Sequence, residues 1–356
     1  MPDSVDLRSD LLSRPTPQMF EAMQSAFGAS PGFGLREDPW VQQLELTAAA
    51  VLGKEDALFC PTCTLCNQIA INLHLLAGET MVCEATSHVV TSEGGAPAAL
   101  SGAMVHPLPG DGGLLAPRQL EQALQGRATE SRARCSLLVL ENTHTRSGGR
   151  VLDLPAMRAL AGLARERDVR LHLDGARLFN AASFLGCEVA ALAADADTVA
   201  ISLNKGLGAP LGAILAGTRE FIDRAVVVRQ RLGGGWRPAG VLAAAGLVAI
   251  EQGPAVLADD HRRARSFADE LAQIDGVTVV NAPVQTNLVL AEIAHQGGTH
   301  EGELKFLAAN GILALAFDGR LRFAFHNGID DVGVERAAEA LRALAKQWAA
   351  RPTRCP

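Results

Sequence analysis

Apolar and polar positions along this chain follow two periods that replace each other in turn. "PTPQMFEAMQSAF" (15–27), "PWVQQLELTAAAVLG" (39–53) and "NQIAINLHLLAG" (67–78) carry apolar residues three and four apart. That spacing lines one face of a helix. The first two open on a proline, which suits a first helical turn, and the second stops at Gly53. Short apolar runs come next: "TMVCE" (80–84), "SLLVLE" (136–141), "VRLHLD" (169–174) and "TVAISL" (198–203). They have the length of buried strands. Helical stretches such as "LPAMRALAGLARERD" (154–168) lie between some of them. The alternation predicts an α/β fold with a mainly parallel sheet flanked by helices.

Past residue 250 the pattern changes. "DHRRARSFADELAQIDG" predicts a helix, "VTVVN", "TNLVLAEI", "ILALAF" and "RLRFAFH" predict strands, and "DDVGVERAAEALRALAKQWAA" predicts a closing helix. This reading divides the chain into an N-terminal segment (1–14), a large domain (15–250) and a smaller C-terminal α+β domain (251–356).

Composition narrows the class of function. Hydrophobic residues make up 48% of the 356 and charged residues 20%, as in a globular chain with a large core. A net charge of −7 argues against nucleic acid or an anionic membrane as partner. The longest apolar stretch, "GVLAAAGLVAI" (240–250), is too short to cross a bilayer and predicts a buried helix. The first residues lack a signal-peptide pattern. A cytoplasmic location is therefore expected, with the seven cysteines as reduced thiols.

Candidate chemistry sits where the strands end. "LLVL" is followed by Glu141, Asn142, Thr143 and His144; "VRLHL" by Asp174, Gly175, Ala176 and Arg177; "TVAISL" by Asn204 and Lys205. Ligands of open parallel sheets lie beyond the carboxyl ends of the strands. Taken singly, Asp174 reads as a turn cap and Lys205 as a surface amine. Together they place an acid, a guanidinium, an imidazole and an amine at one sheet edge. A lysine in the Gly-rich, weakly charged "SLNKGLGAPLGA" is suited to imine formation once burial lowers its pKa. Lysine and aspartate at neighbouring strand ends suit pyridoxal 5′-phosphate: the amine holds its aldehyde and the carboxylate pairs with its pyridine nitrogen.

These residues carry a resemblance. "VDLRSD", "RPTPQM", "GKEDALFCPTCTLCNQIA", "ENTH", "HLDGARLFNA", "SLNKGLGAPLGA", "GGGWRPAGVLAAAG" and "TNLV" together resemble the low-specificity L-threonine aldolases, nearly end to end. These belong to the aromatic amino acid β-eliminating lyase/threonine aldolase group. The resemblance implies the aspartate-aminotransferase-like fold (pyridoxal-phosphate fold type I) and cleavage of an L-β-hydroxy-α-amino acid to glycine and an aldehyde. It further implies that Lys205 binds the cofactor covalently, Asp174 holds its ring nitrogen and His88 stacks on the ring. His144 is implied near the substrate β-hydroxyl; the base could be His144, His88 or water. Ser9, Arg177 and Arg322 are implied to hold the substrate carboxylate, and Arg237 to contact the cofactor phosphate, either within its own chain or across a subunit interface. A homodimer or homotetramer is implied.

The chain departs from the family in three places. Cys63 replaces a glycine in the loop before a helix, where backbone N–H groups and Thr64 are implied to meet the phosphate. Asn204 replaces a serine. "GFGLREDPW" carries Phe33 where the family has tyrosine, and the chain has no tyrosine at all. A more apolar pocket wall is expected, with L-threonine, L-allo-threonine or a bulkier analogue as substrate. A β-eliminating or transaldolase-like reaction remains the alternative. Cys60, Cys63 and Cys66 suggest a metal site by spacing. A bacterial iron–sulfur pattern, however, would place Cys and Pro at positions 70 and 71, which are Ala and Ile. No second ligand pair follows for zinc. No metal is expected, and the segment reads as a phosphate cup at a helix start.

Overall fold

A computed structural model describes residues 4–28, 32–125, 133–294 and 300–349. Thirteen strands are present among them: β1 (Val5–Asp6), β2 (Asp56–Cys60), β3 (Thr80–Glu84), β4 (Met104–Leu108), β5 (Cys135–Glu141), β6 (Arg170–Asp174), β7 (Thr198–Ser202), β8 (Ala213–Gly217), β9 (Val277–Val279), β10 (Leu288–Ile293), β11 (Ile312–Leu313), β12 (Leu315–Phe317) and β13 (Arg320–Ala324). Seven of them form one sheet in the order β2-β8-β7-β6-β5-β3-β4. The pairs from β4 through β7 are parallel, while β8 runs antiparallel to β7 and β2. The fold is α/β of the expected pyridoxal-phosphate type, with a mostly parallel central sheet. Three of these strands were not marked by the apolar pattern. β8 is built of small residues, β4 is a largely exposed edge, and β2 runs straight into the cysteine loop.

Helices α1 (Pro17–Phe27) and α2 (Pro39–Leu52) form as their spacing predicts, whereas α3 (Cys63–His74) begins four residues before the predicted 67–78 stretch and ends at an extended Leu75. Thr16, Asp38 and Thr62 each cap a helix by accepting a backbone N–H. Gly53 ends α2 at φ 63°, a left-handed conformation that glycine adopts without a Cβ clash. The apolar stretch at 240 continues through a 3₁₀ turn into the next helix. Gly240–Leu271 is thus a single 32-residue run, long and apolar enough to cross a membrane by length and composition. Half of its apolar window is buried within the protein, where it packs on α1 and α2, so it serves as a core helix.

A second, four-stranded antiparallel sheet has the order β12-β13-β10-β9. "ILALAF" divides around Ala314: β11 pairs with β1, and β12 pairs with β13. Val5 and Leu7 share an apolar cluster with Phe267, Phe323 and Leu341. That anchoring draws the N-terminal segment across to the strand ends of the large sheet.

Candidate active site

Asp174 is the last residue of β6 and is buried. Its Oδ1 accepts the Ala176 N–H at 3.1 Å, so the turn-cap reading describes one oxygen. Its Oδ2 accepts an amide hydrogen of Asn67 at 2.8 Å, and the Cys63 thiol lies 3.9 Å from Oδ1. Lys205 follows β7 and is half-buried; among the described residues none accepts a hydrogen bond from its amine. Burial, then the charge of Arg177, lowers the lysine pKa, while Cys63, Asp10 and Asp174 act in the opposite sense. A weakly held, easily deprotonated amine beside a buried carboxylate fits an imine-forming lysine.

Two arginines stand near this pair. Arg177 binds Asp10 through Nε (2.6 Å) and NH2 (2.8 Å), and NH1 donates to Thr145 Oγ1 at 2.9 Å. Burial would raise the Asp10 carboxyl, but Arg177, with help from Lys205 and Asn287, holds it well below the usual carboxylate range. Asp10 was missed in the sequence, where it passed as one residue of "VDLRSD". Its partner lies 167 positions away, and no local period links them. Arg322 is buried, donates to the Arg8 carbonyl (2.9 Å) and lies 4.8 Å from the Phe317 ring centroid. Its Nε is buried with no partner, and burial together with the Arg177 charge lowers its pKa. Two neighbouring guanidiniums with an unused donor fit a carboxylate ligand between them. Ser9 accepts the Leu11 N–H at 3.2 Å, which leaves its hydroxyl hydrogen available. Replacing Asp10 by alanine leaves Arg177 buried without its carboxylate partner. Urea unfolding is expected to record a loss of about 3–5 kcal/mol.

The two histidines differ. His88 is partly exposed, and Nδ1–H donates to Glu93 Oε1 at 2.8 Å. Among the described residues nothing bonds its Nε2. Burial opposes its charged form, but Glu93 and then Asp174 raise its pKa. His144 is only 1% exposed, and both ring nitrogens are engaged: Nε2 with Glu84 (3.0 Å) and Nδ1 with Ser147 (3.0 Å). Its pKa rises against burial through Glu84 and Glu141, and the bond to His144 holds Glu84 down at about 2. Glu141 was visible beside His144 at its strand end, whereas Glu84 and Glu93 escaped the sequence reading: Glu84 lies 60 positions from His144, and nothing local marks Glu93 as the partner of His88.

Thr62, rather than Thr64, caps α3. The Cys63 and Thr64 amides lie in the first helical turn, and no described residue pairs with either, so both can meet an anion. Cys63 is not among the residues with positive φ, and a non-glycine is therefore tolerated there. Burial, then Asp174, raises its thiol pKa. Cys66 is fully buried, and burial with Cys60 pushes its thiol well up, which outweighs the lowering expected at a helix start. Asn204 is half-buried beside Lys205. Arg237 is exposed, donates to the Phe33 carbonyl (3.0 Å) and stacks on the Phe33 ring; the charges acting on Lys205 do not include it. Phe33 itself is 86% exposed, and so forms no wall beside Lys205 within this chain. Residues 29–31 of that departing loop lie outside the described residues.

An unpaired lysine amine, a buried aspartate, two free first-turn amides and an unpaired guanidinium N–H suit an aldehyde, a pyridine nitrogen, a phosphate and a carboxylate in turn. The chain is a lyase that uses pyridoxal 5′-phosphate. The sequence model described as beta-eliminating lyase matches residues 6–295, and the chain belongs to that family. It is 38% identical to low-specificity L-threonine aldolase 1 of Arabidopsis thaliana, over 92% of each chain. It is 35% identical to the low specificity L-threonine aldolase of Escherichia coli (strain K12), over 97% of this chain and 98% of that one. A threonine aldolase structure from Leishmania major superposes with a TM-score of 0.81 at 21% identity, covering 96% and 99% of the two chains. A Sphingomonas wittichii serine palmitoyltransferase superposes at 0.79 with 16% identity, covering 98% and 89%. At such low identity the two structures speak for the fold alone.

Proposed function

We propose that this enzyme cleaves the Cα–Cβ bond of an L-β-hydroxy-α-amino acid, releasing glycine and an aldehyde. The observation that carries the reading is the Arg177–Arg322 pair with its buried, unpartnered Nε, set beside Lys205 and Asp174. Pyridoxal 5′-phosphate, when bound, supplies a ring that accepts the electron pair released at Cα. Lys205 is the residue that would hold it, with Asp174 at the ring nitrogen, His88 against the ring, and Cys63, Thr64 and Asn204 near the phosphate. Arg177, Arg322 and Ser9 bind the substrate carboxylate. Fixing that group sets the rotation about the Cα–N bond and so selects which bond at Cα breaks.

Of the two candidate histidines, His88 has the free nitrogen. With Nδ1–H given to Glu93, its Nε2 lone pair can take the β-hydroxyl proton. His144 reaches that proton only by releasing Glu84 or Ser147. A base must be neutral, so kcat/KM rises as pH climbs through the raised His88 pKa and then levels. Replacing Glu93 by glutamine removes the raising partner; the acid limb of the pH–rate profile is expected to move down by about one unit. An unmoved limb would exclude His88.

Assay with L-threonine, L-allo-threonine and L-phenylserine, reading aldehyde and glycine, tests the reaction. Keto acid and ammonia as main products would replace the aldolase reading with β-elimination. The reading also makes the enzyme a cytoplasmic homodimer or homotetramer, with Arg237 reaching a cofactor phosphate across the interface. Six free thiols among the described residues suit a reducing compartment. Phe27 and Phe33, both highly exposed, suit a subunit contact. Light scattering of the holoenzyme reads the subunit number, and a monomer would overturn this part.

A further inference from the structure

The carboxylates around the site are joined through one residue that the mechanism leaves unused. Asn67 is fully buried in α3. Its single amide nitrogen donates to Asp174 Oδ2 and to Glu93 Oε1, each at 2.8 Å. Glu93 Oε1 is also the acceptor for His88, and Gln68 donates to Glu93 Oε2 at 2.5 Å. The orientation of the Asn67 amide is forced: the flipped form would turn its oxygen onto two carboxylates.

That orientation dictates what lies behind it. Asn67 Oδ1 can only accept, so His172 Nε2, 3.0 Å away, must carry a hydrogen. Burial holds the His172 pKa down at about 3, so the ring is neutral and its Nδ1 is an acceptor. Thr198 Oγ1, 2.9 Å from Nδ1, then gives up its one hydrogen there. His74 Nε2, 2.9 Å from the same hydroxyl, must donate to it. Each donor is placed by simple periodicity. His172 and Asp174 are two apart on β6 and share a face of the sheet. Thr198 pairs with His172 in strand register. Asn67 and His74 are two turns apart on α3, about 10 Å along the same side.

We infer that Asn67 and His172 are positioning residues. His172, fixed as the neutral Nε2–H tautomer, locks the Asn67 amide, and Asn67 in turn holds Asp174 and the Glu93–His88 pair in one geometry. The carboxylate that serves the cofactor ring and the histidine beside it are therefore set by one amide, and altering the lock disturbs both. The chain of donors, from His74 through Thr198 and His172, points throughout toward the carboxylates and stabilises their charged form.

The test uses holoenzyme labelled with ¹⁵N at histidine, with the His172 signals assigned by their loss in His172→Gln. A protonated Nε2 and a bare Nδ1 that do not titrate between about pH 5.5 and 8.5 are expected. An Nδ1–H tautomer, or a ring that gains a proton in that range, would overturn the inference. The second readout is the dissociation constant of pyridoxal 5′-phosphate by equilibrium dialysis. His172→Leu removes the donor and is expected to weaken binding about tenfold. His172→Gln places an amide N–H near the Nε2 position and is expected to stay within about twofold of the parent enzyme. Equal losses in both variants would show a packing role and overturn the lock. Should His172→Leu not fold, the tautomer in the unsubstituted enzyme and the glutamine variant still decide. Neither readout depends on which amino acid is cleaved, so failure here is distinct from failure of the aldolase reading.

Discussion

Lys205→Ala is expected to lower turnover by about 10⁴-fold or more, because the proposed covalent attachment of the cofactor relies on its amine. The protein should still fold, with unchanged or slightly higher thermal stability. Burial and the Arg177 charge already disfavour the lysine's charged form, so its removal relieves a cost. The absorption band of covalently held cofactor should vanish, while free pyridoxal 5′-phosphate still binds through its ring and phosphate. A variant that keeps the band, or keeps turnover within about tenfold, would show that another amine holds the cofactor.

Asp174→Asn is expected to have the next largest effect. The carboxylate oxygens each have a donor, Ala176 N–H at one and Asn67 at the other. An asparagine amide nitrogen at the second position would face the Asn67 amide nitrogen, donor against donor. Placed the other way, it faces the Ala176 N–H. Either orientation leaves a buried donor unsatisfied, at about 1–3 kcal/mol, and no negative charge remains for a ring nitrogen. Turnover should fall by about 10³-fold and cofactor affinity by about tenfold or more. The readouts are kcat and equilibrium dialysis. Asp174→Glu keeps the charge and should recover part of the turnover. Turnover in Asp174→Asn equal to that of the parent enzyme would remove Asp174 from the ring nitrogen.

Both residues were visible in the chain because strands of a parallel sheet all end at the same edge. An apolar run of five residues followed by a charged one names a strand end, and three such ends must lie side by side once the strands pair. Lys205 and Asp174 were legible for that reason, and helices α1 and α2 were legible because their proline and Gly53 signals are local, although the capping Thr16 and Asp38 went unread.

The remaining features depend on distances that sequence spacing does not encode. Asp10 reaches Arg177 only because β1 pairs with β11 and Val5 and Leu7 enter the second core. His144 carried the mark of a site histidine, yet the fold buries it between Glu84 and Ser147, and His88 keeps the free nitrogen. Arg237 carried the mark of a phosphate ligand, yet within this chain it stands on the surface against Phe33. The sequence by itself determined most helices, the strands β5, β6 and β7 and the position of Lys205 and Asp174 at their ends, because periodicity acts over a few residues. Tertiary structure alone decided which charges are paired and which donors stay free, because burial and hydrogen bonding are set by groups brought together from distant parts of the chain.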